Sequence, residues 1–320
     1  MDPILEASNV SKTFKIRRTL WRKSASFPAI TNVSFRLLPG KTVGVIGESG
    51  SGKSTLAKLL VGLERPSHGH IRVSGEDIRS SDTQLKKDTH RNIRAVFQNA
   101  NRSLNPKLRV HNLLEDTLIL NTSLDSFSRL RKIEEVLNLV GLHKGQAENF
   151  PHMFSMGEKQ RIAIARAMIL EPAVIVADEP LAHLDMSIQA QIINLLLDIQ
   201  EQLNIGYVII ANDLGVVKHM ADDLIVLCSG EVMEYGDTDS IFDMPIHPYT
   251  KALLNSTPTV VKAKESLSKV LGKKRAKLEH AGCPFQFSCP LSTDVCKYNK
   301  PEKRAFEKRW VACHHFDKLQ

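Results

Sequence analysis

The chain holds 320 residues, 42% hydrophobic and 24% charged, the balance of an ordinary globular protein with enough length for a large core and two units. Its formal charge of +8 comes from 43 Lys and Arg against 35 Asp and Glu. Basic clusters near both ends (Arg17, Arg18, Arg22, Lys23; Lys273, Lys274, Arg275, Lys277) are read as a solvated or membrane-proximal face, with no nucleic acid as partner. Apolar runs such as Ala173–Ala177, Tyr207–Ala211 and Leu224–Cys228 fall far short of the ~20 residues a bilayer span requires. Met1–Asn9 also lacks a basic-then-apolar leader pattern, so the expectation is a cytosolic-side protein with no span of its own.

Residues 1–45 read as strands: Val33–Leu37 alternates apolar and polar, and Thr42–Ile46 is a short buried-type run closed by glycine. A helix follows from Lys53, with Leu56, Leu59 and Leu60 on one face and Gly62 to stop it. From about Asn101 to Gly157 the pattern is helical and polar. Strand character returns at Val174–Ala177 and Val208–Ala211, and between them Ile192, Leu196, Ile199 and Leu203 recur at helical spacing, a βαβ signature. The reading is a parallel-sheet α/β core with a helical insertion. Beyond about Ser240, Pro245, Pro248 and Pro258 break the pattern, and a Lys-rich stretch leads into a cysteine segment.

Gly47-Glu48-Ser49-Gly50-Ser51-Gly52-Lys53-Ser54-Thr55 fits the strand–GxxxxGK[ST]–helix pattern in full. Its glycines let backbone N–H groups converge on phosphate oxygens, where a Cβ would crowd the anion. The helix beginning at Lys53 adds its positive dipole end. Lys53 is expected to reach the β- and γ-phosphates, and the Ser54 hydroxyl to ligand Mg²⁺. Downstream, Val174-Ile175-Val176-Ala177-Asp178-Glu179-Pro180 ends a buried strand in two carboxylates. Asp178 suits the Mg²⁺ side, and Glu179 suits orienting or deprotonating the attacking water. ATP with Mg²⁺ is the expected substrate pair.

With these segments in place, the chain resembles the ATP-binding subunit of an ABC transporter. Gln98 matches the Q-loop, which the resemblance places at the γ-phosphate and Mg²⁺. Ser155-Met156-Gly157-Glu158 sits at the signature loop, Ala182-His183-Leu184-Asp185 at the D-loop, and Phe14 at the aromatic position that stacks on adenine. Within that family it resembles the peptide-uptake group, above all the second ATPase of dipeptide permeases. The fragments that carry this are Ser103-Leu104-Asn105-Pro106, Asn121-Thr122-Ser123-Leu124, Pro151-His152-Met153-Phe154-Ser155 and His247-Pro248-Tyr249-Thr250-Lys251-Ala252-Leu253-Leu254.

The resemblance implies an α/β P-loop NTPase with a RecA-like parallel-sheet core, an antiparallel β subdomain and a helical subdomain at about 101–167. These make up a nucleotide-binding domain at 1–240, with a C-terminal extension at 241–320. It also implies a head-to-tail ATPase dimer with a second ABC ATPase subunit, two transmembrane permease subunits and an extracytoplasmic substrate-binding protein, at the cytoplasmic face of the inner membrane. The expected function is ATP-driven uptake of dipeptides and oligopeptides. Import of nickel, another metal chelate or cationic peptides is the sibling reading, a non-hydrolysing regulatory subunit a further one, and a soluble ABC ATPase of ribosomes or DNA repair a more distant one.

Three positions depart from the family pattern. The signature ordinarily runs Ser-Gly-Gly-Gln, so Met156 adds a side chain where glycine allows close approach, and Glu158 sets a carboxylate near a polyanion, a repulsion of roughly 1 kcal/mol or more at close range. Asn212 stands where the family has a histidine that contacts the γ-phosphate; it donates a hydrogen bond but carries no positive charge. These changes bear on different nucleotides, which leads to the expectation of an asymmetric heterodimer with one slow ATP site; the alternative is a working pair that tolerates them.

Cys283, Cys289, Cys296 and Cys313 crowd the last 40 residues. Four thiolates suit a 4Fe–4S cluster or a structural zinc, and the resemblance points to the cluster. His314 and His315 keep zinc open, and unmetallated thiols are the third reading. Cys228 reads as a core residue, His247 as a turn-packing residue, and His68, His70 and His90 as surface.

Overall fold

The computed structural model describes residues 2–16, 25–79, 83–98, 103–182, 184–256 and 281–319. Both basic clusters, Asn101, His183 and Pro258 lie outside the described residues.

Two sheets organise the chain. Strands β1 (Leu5–Ile16), β2 (Ala25–Leu37), β4 (His68–Val73) and β5 (Glu76–Asp77) form an antiparallel sheet in the order β2-β1-β4-β5. The larger sheet runs β11-β12-β10-β9-β3-β8-β7-β6, built from β3 (Thr42–Ile46), β6 (Ile93–Val96), β7 (Val174–Asp178), β8 (Gly206–Ile210), β9 (Asp223–Cys228), β10 (Glu231–Asp237), β11 (Lys303–Phe306) and β12 (Arg309–Ala312). Its middle, β9-β3-β8-β7-β6, is parallel. Every residue of β3, β7 and β8 is buried, as expected of strands covered on both faces. The run Thr42–Ile46 is therefore legible as a central strand because it lacks any polar face.

The parallel strands are linked by helices that pack back on the sheet. Lys53–Leu60 follows β3 and buries Leu56, Leu59 and Leu60; Gly62, at φ +73°, ends it as expected. Met186–Leu203 joins β7 to β8 and buries Ile192, Leu196 and Ile199. Leu203, the fourth member of that periodic set, is 45% exposed, in the last turn before the left-handed Asn204 at φ +54°.

Helices Val110–Asn121, Ser126–Leu139 and Met156–Met168 form a separate layer. Leu114, Leu118, Ile133, Leu137 and Ile162 of this layer share one apolar core with Ile175 and Ile209 of the sheet, each fully buried Leu or Ile contributing about 2 kcal/mol. Asp125 caps the second helix by accepting the Ser128 N–H at 2.8 Å.

The C-terminal segment is tied to the same sheet. β12 pairs antiparallel with β10, and β11 with β12. Glu234 of β10, wholly buried, accepts the N–H groups of Ile246 and His247 at 3.2 and 3.0 Å. Arg309, also buried, lies 3.5 Å from Glu234 and donates to the carbonyls of Ser240 and Met244. These bonds seat His247, which caps the helix Pro248–Asn255 by accepting the Tyr249 N–H, against the sheet. Cys228 is buried and His68 exposed, with His70 and His90 half-buried.

Candidate nucleotide site

The phosphate loop runs from the end of β3 into the helix Lys53–Leu60. Gly47, Gly50 and Gly52 have φ of +154°, +78° and +108°. At Gly47 the space is as restrictive as the dihedral: an added Cβ would stand 2.1 Å from Leu227 O and 2.7 Å from Ser51 Oγ. The loop is tied to the β9–β10 turn by Gly230 N–H, which donates to Ser51 O at 2.7 Å. Lys53 is buried and donates to Gly47 O at 2.6 Å and Glu48 O at 3.0 Å. Burial pulls its pKa down, opposed by Glu179, Asp178 and Glu48. Ser51 Oγ is buried without a hydrogen-bond partner among the described residues. A lysine folded back on its own loop carbonyls beside an orphaned hydroxyl fits a site for an anion that both would contact.

Across the loop, Ser54 Oγ donates to Asp178 Oδ1 at 3.4 Å. Burial pushes the Asp178 carboxyl up, partly offset by the Ser54 hydrogen bond. This all-oxygen pair suits a hard divalent cation such as Mg²⁺. Glu179, just past β7, has φ +49°, a left-handed conformation costly for a non-glycine residue. Two amides hold its carboxylate: Gln98 Nε2 donates to Oε2 at 2.6 Å, and Asn212 Nδ2 donates to Oε1. Gln98 follows β6 and Asn212 follows β8, so adjacent parallel strands deliver all three residues to one edge.

The remaining expected positions make local contacts of their own. Ser155 caps the helix Met156–Met168 in a reciprocal box with Glu158. Hydrogen bonds from Ser155 and Gln146 hold the Glu158 carboxyl below its usual range. Met156 is exposed, and Gly157 is buried where a Cβ would meet Ile188 at 2.7 Å; its glycine is required by packing on the helix Met186–Leu203. Asp185 caps that helix by accepting the Ile188 N–H at 3.0 Å. Phe14 is half-buried on β1 opposite Phe27, with the Lys12 ammonium 4.9 Å from its ring centre. Glu48, Ser49, Gly50 and Thr55 complete the loop and helix start.

Sequence reasoning missed one contact of the phosphate loop. Glu48 N–H donates to Tyr249 Oη at 3.0 Å, and that hydroxyl donates to Leu227 O at 3.3 Å. No local pattern signals a contact between residues about two hundred positions apart.

The cysteine expectation is corrected. Among the described residues no group of three or more His, Cys, Asp or Glu side chains is arranged to hold a metal, so neither a 4Fe–4S cluster nor zinc is supported. The thiols are built into apolar packing instead: Cys283 and Cys296 lie in the large core, Cys289 packs against it, and Cys313 joins Ile246, Val311 and Phe316 in a small satellite core. Burial pushes the Cys283 thiol up to about 12 and raises those of Cys289 and Cys313, with the neighbouring thiols adding in the same direction.

A strand–phosphate loop–helix unit with two strand-end carboxylates, a glutamine after β6 and the capped helix Met156–Met168 defines an ATP-binding-cassette ATPase. Comparison with known proteins agrees: the ABC transporter family matches residues 30–182, and the C-terminal region of oligopeptide/dipeptide transporters matches residues 233–296. The di/tripeptide transport ATP-binding protein DppF of Pseudomonas aeruginosa is 40% identical over 323 residues, covering 100% of this chain and 99% of that protein. The oligopeptide transport ATP-binding protein AppF of Bacillus subtilis is 40% identical over 321 residues, 98% and 97% of the two chains. Among solved structures, the ATP-binding cassette MJ0796, described as a dimeric post-hydrolysis state bound to ADP and Pi, superposes with a TM-score of 0.64 at 29% identity, covering 73% of this chain and 98% of that one. The chain belongs to the ABC transporter ATP-binding proteins, in their oligopeptide/dipeptide group. Among its described residues no helix is long and apolar enough to cross a membrane.

Proposed function

We propose that this chain binds and hydrolyses ATP to drive uptake of dipeptides and oligopeptides. It would work at the cytoplasmic face of the inner membrane with a second ATPase subunit, two permeases and an extracytoplasmic substrate-binding protein. Residues 1–240 would form the nucleotide-binding domain and 241–320 the extension. The observation that carries the reading is the convergence of Gln98 and Asn212 on the two oxygens of Glu179, beside Lys53, Ser54 and Asp178.

On nucleotide binding, Lys53 keeps its bonds to the loop carbonyls and gives its third N–H to a phosphate oxygen, and loop N–H groups and Ser51 Oγ turn to the same anion. Ser54, Asp178 and Gln98 would hold Mg²⁺, which when bound neutralises charge on the β- and γ-phosphates. Each Glu179 oxygen keeps a lone pair beyond the one its amide occupies, so the carboxylate can accept a proton from the attacking water while Gln98 and Asn212 fix its orientation. The energy of closure comes from the two faces of ATP lying on different subunits, this chain's loop and the partner's signature helix.

Asn212 serves the nucleotide on this chain's own loop, whereas Met156 and Glu158 face the one on the partner's. An asymmetric pair of sites follows. ATP turnover by the assembled transporter with Lys53→Ala here, against the equivalent change in the partner, tests this: unequal losses are expected, and equal, complete losses count against asymmetry.

A further inference from the structure

The peptide unit between Gly47 and Glu48 is gripped at both ends. Its carbonyl accepts from Lys53 Nζ at 2.6 Å, and its N–H donates to Tyr249 Oη at 3.0 Å. A trans peptide points these groups in opposite directions, so rotating the unit breaks both bonds. The phenol has one proton, directed to Leu227 O at 3.3 Å, so towards the loop it is an acceptor and selects the orientation that presents Glu48 N–H. Leu227 O is also the atom that excludes a Cβ at Gly47. The hydroxyl thus bridges the two groups that define the loop's entry.

The Tyr249 ring is itself held from the C-terminal side. It is 2% exposed and meets Phe285 edge-on, centroids 5.3 Å apart at 62°. Its own N–H donates to His247 Nδ1 at 2.9 Å, and Glu234, paired with Arg309, holds His247 at the start of the helix that carries it. Phe285 lies two residues beyond Cys283 in the cysteine segment, whose Cys283 N–H and Cys296 O are bonded at 2.8 Å.

We infer that Tyr249 is a positioning residue for the phosphate loop, and that the C-terminal cysteine segment sets nucleotide affinity by seating Tyr249 through Phe285. The inference rests on the ATP-binding reading above and adds residues that touch no phosphate. Tyr249 acts only by keeping the 47–48 peptide in the orientation that leaves its carbonyl to Lys53 and its N–H away from that carbonyl's side. Loss of the hydroxyl frees the peptide to rotate, and each rotated state lowers the fraction of chains competent to bind.

The test compares the full chain with Tyr249→Phe, Phe285→Leu and Lys53→Ala, measuring the equilibrium affinity for Mg-ATP and hydrogen exchange without nucleotide. Tyr249→Phe removes one oxygen and keeps the ring, so exchange across β3 stays as in the wild type and reports an intact fold. We expect its affinity to fall about five- to tenfold, the scale of one hydrogen bond, with faster exchange in the peptide that carries Glu48. Phe285→Leu is expected to shift both in the same direction by less. Faster exchange with unchanged affinity overturns the inference, as do weaker binding with unchanged exchange, no change in either, and a Tyr249→Phe effect that Phe285→Leu does not share. Should the wild type bind Mg-ATP no better than Lys53→Ala, the ATP-binding reading itself falls, a result distinct from all of these.

Discussion

The Ser155 hydroxyl and the Glu158 carboxylate hold each other: Ser155 N–H and Oγ donate to Glu158 Oε2 at 2.9 and 2.8 Å, and Ser155 Oγ accepts the Glu158 N–H at 3.3 Å. The carboxylate that reads in the sequence as a charge set against a polyanion therefore also closes the first turn of the helix Met156–Met168. To give its hydroxyl to a phosphate, Ser155 must let go of Glu158.

Glu158→Ala removes half of the capping box and is expected to lower stability by about 1 kcal/mol, while Glu158→Gln, which preserves the box, costs well under half of that. Urea unfolding of the two variants checks the order. Equal losses would show that the charge, not the cap, matters for the fold.

Asn212→Ala and Gln98→Ala each remove one hydrogen bond to the Glu179 carboxylate. One such bond to a charged group is worth about 1.5 kcal/mol, so each change should lower ATP turnover by the assembled transporter about tenfold. Because the two amides act on one carboxylate, the double variant is expected to depart from additivity. Rates unaffected by either change would remove both residues from the account.

Arg309 and Glu234 are almost wholly buried as a pair. Arg309→Met strands the carboxylate and is expected to cost about 3 kcal/mol or more, whereas Arg309→Met with Glu234→Gln recovers much of the loss. Denaturant midpoints give the comparison. A double variant no more stable than the single would mean that packing rather than charge pairing dominates.

His247 is fully buried, its Nδ1 accepts from Tyr249 N–H, and burial drives its pKa down to about 3. The unfolded imidazole takes up a proton near pH 6.5 and the folded one does not. Its contribution to stability is therefore complete above pH 6.5 and is lost as pH falls from there towards 3, at about 1.4 kcal/mol per pH unit. Unfolding free energies at pH 7.5, 5.5 and 4.5 should show little change above pH 6.5 and that slope between the lower two in the wild type, with a shallower one in His247→Asn. Parallel slopes would assign the acid sensitivity to other groups.

Much of the site was legible because its chemistry is local. The phosphate loop is nine consecutive residues, and Asp178 and Glu179 end an unbroken apolar strand. What the sequence concealed is long-range. Glu48 meets Tyr249 only because β9, β10 and the turn at His247 bring the C-terminal segment back to the end of β3. The cysteines misled in a related way: spacing along the chain suggested shared ligands, whereas among the described residues no three or more His, Cys, Asp or Glu side chains are arranged to hold a metal. Asp185 and Glu158 likewise carry capping duties that a motif does not express.

The most direct measurement is ATP hydrolysis by the assembled transporter with Glu179→Gln in this chain and the partner's own phosphate-loop lysine replaced, so that only the site on Lys53 can turn over. Nucleotide should remain bound while turnover falls at least a hundredfold, the scale of a lost general base. Hydrolysis at the unmodified rate would contradict the assignment of catalysis to the carboxylate that Gln98 and Asn212 hold.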